Sequence, residues 1–197
     1  MKSLYSFIIK PLNERYENVK KVEDKELIIN SSIENHRFVS KKAVVVSTPA
    51  AYTTKINIGD EVYVHHNIFR RWYDQRGKER NSSTYFKDDL YFAYPDQIYM
   101  YNNKSHLDYC FVAPIKNKSN LSISKEKELF GILKYSNSSL EAAGLTPGAL
   151  VVFKPGSEFE FIIGDERLYC MKSNKIAITH EYEGYEEEYN PSWAQGS

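Results

Sequence analysis

Residues 65–80, HHNIFRRWYDQRGKER, concentrate side chains that suit contact with an anionic or aromatic partner. Five Lys or Arg residues stand against two acidic ones, and aromatic residues are interleaved with them. Rings that stack on bases and cations that follow phosphates are the elements of a single-stranded nucleic-acid platform. Arg70, Arg71, Trp72 and Tyr73 are therefore candidate contact residues, for nucleic acid or for another subunit.

The rest of the chain weakens the nucleic-acid interpretation. Lys plus Arg and Asp plus Glu are balanced at 26 each, so no overall cationic field would hold a polyanion or an anionic membrane. No RNA-binding signature accompanies the insert. A subunit contact, a cavity wall or a plain solvated hairpin explains the same composition, and the sequence favours a protein contact.

Patterns for catalysis and for metal binding are missing from the sequence. It has no GxSxG, P-loop or GxGxxG motif, so we expect neither an enzyme nor a bound cofactor. His65 and His66 are neighbours on a predicted strand and should point to opposite faces, so they cannot easily bind one metal ion together. Cys110 and Cys170 lack CxxC spacing, which favours two small buried thiols over a disulfide.

A second candidate site is the long polar segment 17–42, ENVKKVEDKELIINSSIENHRFVSKK, which has one apolar triplet at its centre. Long polar loops in compact domains are usually functional or disordered. Leu27, Ile28 and Ile29 would be costly to leave in water, so they are either a further core strand or anchors for a partner.

The elements around these segments occur twice. Four blocks recur in the same order, each rich in β-forming residues. They are FIIKPL (7–12) with CFVAPI (110–115), AVVVS (43–47) with GILKY (131–135), INIGDEVYV (56–64) with LTPGALVVF (145–153), and Leu90-Tyr91 and Ile98 with Leu168-Tyr169 and Ile176. The order predicts a tandem duplication.

Each half reads as about five short strands separated by Gly, Pro and Asn turns, the pattern of a small closed barrel. The predicted fold is all-β, with two tandem β-barrels in residues 1–103 and 108–182 and a joint at 102–106. Residues 183–197 are rich in Glu and then in Pro, Ser and Gly, which predicts an acidic disordered tail.

Together these motifs resemble the GroES family of co-chaperonins, over residues 6–182 as two tandem units. The matching features are a proline strand, a long polar loop, a valine-rich strand, a glycine turn and a closing Leu-Tyr strand. In this sequence they are Lys10-Pro11-Leu12, residues 17–42, Ala43–Val46, Gly59-Asp60-Glu61-Val62, and Leu90-Tyr91 through Asp96-Gln97-Ile98. A double co-chaperonin of chloroplasts has a similar layout, and phage-encoded members diverge as strongly.

The resemblance implies a function. Such a protein forms a homo-oligomeric ring that caps a GroEL-type chaperonin, encloses an unfolded client protein and leaves ATP to the chaperonin. Leu27, Ile28 and Ile29 would be the chaperonin-binding residues. The family's glycine pair before its triplet is replaced here by Lys25-Glu26, which predicts a stiffer loop.

The corresponding loop of the second copy is short, with only Leu121 and Ile123 as candidate anchors, and we expect it not to bind. One competent loop per chain suits a ring of seven chains, with the second barrel as a collar or roof. If both copies acted as protomers, fewer chains would close the ring, and the sequence leaves this choice open.

The N-terminus lacks the apolar run of a signal peptide, and no stretch approaches the length of a membrane span. We therefore expect a soluble protein in the cytoplasm of a bacterial cell or of a phage-infected host. The alternative function is a β-barrel protein that binds single-stranded nucleic acid, or a virion-associated structural protein, through residues 65–80.

Overall fold

The structure, a computed structural model, describes residues 3–16, 19–22, 25–28, 38–118, 124–180 and 184–194. The chain divides into two compact units, Met1–Asn102 and Asn103–Ser197. Strands make up most of the regular structure in the described residues, with one short α-helix. The expectation of a mainly β protein is confirmed.

The first unit contains ten of the strands found in the described residues. They are β1 (Phe7–Pro11), β2 (Val19–Val22), β3 (Lys25–Ile28), β4 (Lys42–Ser47), β5 (Glu61–Val64), β6 (Arg71–Tyr73), β7 (Glu79–Asn81), β8 (Tyr85–Lys87), β9 (Leu90–Ala93) and β10 (Ile98–Tyr101). Short 3-10 helices at His66–Ile68 and Pro95–Gln97 precede β6 and β10.

The second unit contains the remaining strands and the helix. They are β11 (Lys104–Ser105), β12 (Tyr109–Lys116), β13 (Glu126–Tyr135), α1 (Ser138–Ala142), β14 (Leu150–Phe153), β15 (Phe159–Ile163), β16 (Glu166–Lys172) and β17 (Ile176–His180). The Asn137 side chain caps α1 by accepting hydrogen bonds from the amides of Ser139 and Leu140.

The two units repeat one strand order. The large sheet of the first unit runs β10-β5-β4-β1-β9-β8, and that of the second runs β17-β14-β13-β12-β16-β15. Every neighbouring pair in these two orders is antiparallel. The sequence blocks that predicted a duplication therefore occupy equivalent strands.

Register extends the correspondence to single residues. In the first unit Pro11 lies opposite Ala43, and in the second Pro114 lies opposite Gly131. Both central ladders also shift register at the same place, between Ile8 and Ile9 and between Phe111 and Val112. The shared position of the shift keeps equivalent side chains on the same face in both units, because a slip of one residue would turn every side chain to the other face.

Equivalent positions supply the two cores. Ile9, Val45, Val62 and Tyr91 are buried in the first unit. Val112, Leu133, Val151 and Tyr169 take their places in the second. Apolar side chains at alternate positions of these strands face one side of the sheet, and their burial supplies the main stabilising free energy.

The prediction of two closed barrels is not met. A barrel requires its first and last strands to pair, whereas over the described residues neither large sheet closes on itself. Four of the five residues of β17 are exposed, so this end of the second sheet faces solvent. Short, exposed edge strands of this kind limit edge-to-edge association without closure.

The predicted disordered tail also differs from the structure. Glu188 forms an antiparallel bridge with Ile115, a 3-10 helix spans Ser192–Ala194, and Ala194 is fully buried. The glutamates repel one another in the sequence, but lysines of the second unit lie beside them and offset that repulsion.

Candidate functional site

The two ends of the polar segment that the sequence predicts as a loop lie next to each other in the first unit. Tyr16 and Val39 form an antiparallel bridge, and both side chains are buried. Next to them, the amide of Ser40 donates a hydrogen bond of 3.0 Å to the carbonyl oxygen of Arg15. Residues 17–38 therefore form an excursion that begins and ends at a fixed base.

The described part of this excursion is a hairpin, hereafter the first hairpin, made of β2 and β3. Val19 lies opposite Ile28 and Lys20 lies opposite Leu27. The pair is a separate two-stranded sheet and not part of the large sheet. Leu27 and Ile28 are thus not on a strand of the large sheet, and Ile29 lies outside the described residues.

The basic and aromatic insert forms a second hairpin from β6 and β7. Trp72 lies opposite Arg80, and Tyr73 lies opposite Glu79. Side chains of directly opposed residues share a face, so Trp72 and Arg80 lie on one face and Tyr73 and Glu79 on the other. Trp72 is 44% exposed and Tyr73 is 50% exposed, which makes both rings accessible to a partner.

The turn of the second hairpin is ordered by one carboxylate. Asp74 accepts hydrogen bonds of 2.9 Å each from the amides of Arg76 and Lys78 and from Nε of Arg80. The bond from the Lys78 amide is the main cause that lowers the pKa of Asp74. Gly77 has a φ of +70°, a conformation that favours glycine at this point of the turn.

Arg15 joins the two hairpins at their bases. Its Nε donates to the carbonyl oxygen of Phe69 at 2.5 Å, and its Nη1 donates to Oδ1 of Asn81 at 2.7 Å. A third bond of 3.3 Å runs from Nη2 to the carbonyl oxygen of Arg70. The guanidinium also lies 5.2 Å from the ring centroid of Tyr91, a cation–π contact.

Tyr16 adds a second connection. Its hydroxyl oxygen accepts a hydrogen bond of 2.7 Å from the amide of Arg71, and the Arg71 guanidinium lies 4.7 Å from its ring centroid. Arg71 also pairs with Glu79 at 2.9 Å. The Arg71 side chain therefore contacts Tyr16 at the base of the excursion, whereas Trp72 and Tyr73 face solvent.

The sequence predicted both segments but not their contact. Arg15 and Tyr16 were not singled out, because no spacing rule connects a residue with a partner more than fifty positions away. The one available signal was a cation next to an aromatic residue directly after the proline strand. Such pairs are too common in sequences to indicate a site by themselves.

The histidines and cysteines take structural positions. His65 follows β5, His66 begins a 3-10 helix, and their rings stack at 4.5 Å, so the expectation of opposite faces on one strand was wrong. Within the described part of the chain, no group of three His, Cys, Asp or Glu residues could hold a metal ion. Cys110 and Cys170 are free and buried, as predicted, and burial raises the pKa of Cys110 to about 12.

Comparison of the chain with protein-family models and with curated proteins gives no match. Among the described residues, no helix has the length and apolar character needed to cross a membrane.

Proposed function

We propose that the protein is a co-chaperonin of the GroES-like kind, which caps a GroEL-type chaperonin and binds it through Leu27, Ile28 and Ile29. The observation that carries the proposal is the excursion 17–38, whose two ends meet at the Tyr16–Val39 bridge. A fixed base with an apolar triplet far from it in sequence suits a docking element that enters a groove on a partner.

The energetics favour many loops acting together. Burial of three such side chains yields about 1.5–3 kcal/mol each, roughly 4.5–9 kcal/mol in all. Ordering of the segment consumes about 2–5 kcal/mol of this. Because an isolated two-stranded hairpin is only marginally stable in water, the first hairpin can repack on its partner. One loop binds weakly, and a ring of loops binds strongly and reversibly.

The second unit supports one docking loop per chain. There the ladder between β12 and β13 continues to Lys116 opposite Glu126, and the amide of Asn117 donates to the carbonyl oxygen of Lys125 at 2.9 Å. This leaves only a short connection, in which Leu121 and Ile123 lie outside the described residues. A ring of seven chains, each with one docking loop and a partly open GroES-like module in each unit, fits this difference.

The decisive experiment mixes the protein with a GroEL-type chaperonin and ATP and measures co-sedimentation. We expect binding by the unaltered chain and its loss in the double variant Leu27→Asp, Ile28→Asp. The matched control is Leu121→Asp, Ile123→Asp, which should bind normally. Native mass spectrometry of both variants checks that the ring is intact, and unchanged binding of the first variant would refute the loop assignment.

A second candidate function is favoured by the exposed rings of Trp72 and Tyr73, beside the cations of the second hairpin. They form a surface on which single-stranded nucleic acid could stack. Filter binding at low salt tests it with Trp72→Ala and Arg76→Ala, since Arg71→Ala would also disturb the contact with Tyr16. Salt-sensitive binding that both variants reduce supports this function, and absence of binding at low salt excludes it.

A further inference from the structure

The edge of β12 that faces away from β13 is completed by the end of the chain. β12 pairs with β16 from Tyr109 to Val112. Beyond that point the Lys116 amide donates to the carbonyl oxygen of Glu187, and the Tyr189 amide donates to that of Pro114, each at 2.8 Å. The Asn117 amide points to Lys125 of the loop before β13, and successive amides alternate in direction, so these bonds lie on the opposite edge.

Lysines flank this acceptor edge, Pro114–Lys116, and meet the three consecutive glutamates 186–188. The contacts are Lys116–Glu187 at 2.6 Å, Lys134–Glu188 at 3.0 Å, Lys118–Glu186 at 3.6 Å and Lys127–Glu186 at 3.8 Å. Residues 186–189, which occupy this edge, therefore show what it binds: an extended backbone with several successive carboxylates.

The ion pairs of the occupant are contacts that salt can screen. The side chains of Lys116 and Glu187 are 52% and 68% exposed, and exposed ion pairs contribute little and are screened by salt. A cleft beside the segment, lined by Lys116, Asn117, Lys125 and Tyr189, leaves space for a side chain of an incoming strand. Exchange of residues 186–189 would break two main-chain hydrogen bonds with β12, and an incoming strand would form them again. The following residues stay held, because Asn190 donates to the carbonyl oxygen of Asp165 at 2.7 Å and Ala194 is buried.

We propose that the acceptor edge of β12 with its flanking lysines is a docking site for an extended acidic peptide of a partner protein. The chain's own residues 186–189 occupy the site as a tethered competitor. Binding would add a strand to the sheet, so main-chain bonds supply affinity and the lysines supply specificity for acidic sequences. This inference does not depend on the proposed co-chaperonin function.

The test uses the full chain and a fluorescent peptide, GYEEEYNPSWA, with the sequence of residues 184–194. In the variant Glu187→Gln, Glu188→Gln the tethered segment loses two ion pairs, so the free peptide should bind more tightly. Two exposed pairs correspond to a gain of roughly 2- to 30-fold in affinity. Addition of Lys116→Ala and Lys134→Ala to this variant should remove most of the binding.

The control peptide GYQQQYNPSWA has the same length and rings without the charges. Equal binding of both peptides would overturn the charge-based assignment, and no binding of the acidic peptide to either chain would overturn the site. If the variant instead forms dimers that the free peptide does not dissociate, the edge serves exchange between copies and the partner proposal fails. Hydrogen exchange gives an independent readout: salt should speed exchange at the amides of Lys116 and Tyr189 but not along β12–β16.

Discussion

The two units share one sheet and differ in what interrupts it. Between the proline strand and the next strand, the first unit carries the excursion anchored at Tyr16 and Val39, and the second continues its ladder to Lys116 opposite Glu126. Between the third and fourth common strands, the first unit inserts the β6–β7 hairpin, where the second has only residues 154–158. Both additions of the first unit lie beside Arg15.

This difference shows which parts of the shared sheet accept additional segments. The common strands are constrained by register and by a shared core, so they tolerate little change. Loops carry binding residues on a rigid scaffold, and the first unit has two, of which the β6–β7 hairpin contacts Arg15 and Tyr16 at the base of the excursion. The second unit lacks both in its described residues, and its β12 edge holds residues 187–189 instead.

The largest effect should come from the residue that joins the two hairpins. Arg15→Ala removes three hydrogen bonds from a partly buried guanidinium, and hydrogen bonds to charged groups contribute about 1.5–3 kcal/mol. We expect the unfolding free energy of the first unit to fall by about 3 kcal/mol. The equivalent residue of the second unit, Lys118, is exposed, so Lys118→Ala should cost less than about 1 kcal/mol.

Each unit contains one of the chain's two tryptophans, so urea unfolding can be followed separately. Trp193→Phe leaves Trp72 as the reporter of the first unit, and Trp72→Phe leaves Trp193 for the second. Equal losses from Arg15→Ala and Lys118→Ala would contradict the special role of the first position. Arg15→Lys should not restore stability, because a lysine cannot donate along the same three directions.

A pair of equivalent tyrosines should respond in opposite ways to loss of the hydroxyl. Tyr169 donates to Glu126 and accepts from Arg167, each at 2.6 Å. The hydroxyl of Tyr91 is buried with no hydrogen-bond partner among the described residues, and burial raises the pKa of Tyr91 to about 12. Tyr169→Phe should therefore lower the unfolding free energy by about 1–3 kcal/mol.

Tyr91→Phe should leave stability unchanged or raise it, because it removes a buried group that forms no bond. Urea unfolding with the single-tryptophan reporters measures both variants. A loss of more than about 1 kcal/mol in Tyr91→Phe would indicate that its hydroxyl has a partner, and the two positions would then be energetically equivalent.

The two units also differ in the residue that lies opposite the proline, which is Ala43 in the first unit and Gly131 in the second. A Cβ atom built on Gly131 would overlap Cγ1 of Val112 and the carbonyl oxygen of Ala113, whereas Ala43 occupies the equivalent place in the first unit. Gly131→Ala should lower stability of the second unit by about 1–3 kcal/mol through overpacking. Ala43→Gly should cost about 0.5–1 kcal/mol through backbone entropy, and a neutral Gly131→Ala would show that β12 can shift.

The common sheet was predictable because its information is local. Alternating apolar residues, the turn glycines and the order of four blocks are present in short stretches, and the matched blocks lie on strands at equivalent places in the two sheets. Closure into barrels was not predictable, since it depends on whether two edge strands meet across the whole module. The contact of Glu187 and Glu188 with lysines was missed for the same reason: charge repulsion is visible in the sequence, but its compensation is not.

The sequence identified the segments that contain the candidate sites, but it did not show which of their side chains are accessible. Composition singled out the triplet at 27–29 and the four residues at 70–73. Only the fold shows that the Arg71 side chain packs on the ring of Tyr16 and that the rings of Trp72 and Tyr73 are accessible. Long-range contacts through single side chains, such as Arg15 with Asn81, leave no periodic signal for sequence reasoning to find.

The smallest effect we expect is a pH dependence of the unfolding free energy, which in each unit comes from one histidine. Burial, with the nearby charge of Lys41, lowers the pKa of His65 in the first unit. Burial also lowers the pKa of His106 in the second. A folded-state pKa below the unfolded value of about 6.5 means that unfolding takes up protons. Stability is therefore full above about pH 6.5 and declines as the pH falls toward the folded pKa.

Unfolding measured at pH 7.5 and 5.5 with each tryptophan reporter separates the two contributions. Nδ1 of His65 accepts a hydrogen bond of 3.1 Å from the amide of Asn67, which protonation of that nitrogen abolishes, so we expect the steeper decline in the first unit. His65→Gln should flatten only the first profile and His106→Gln only the second. A first unit that became more stable at pH 5.5 would require a carboxylate to stabilise protonated His65, contrary to its burial and to the nearby charge of Lys41.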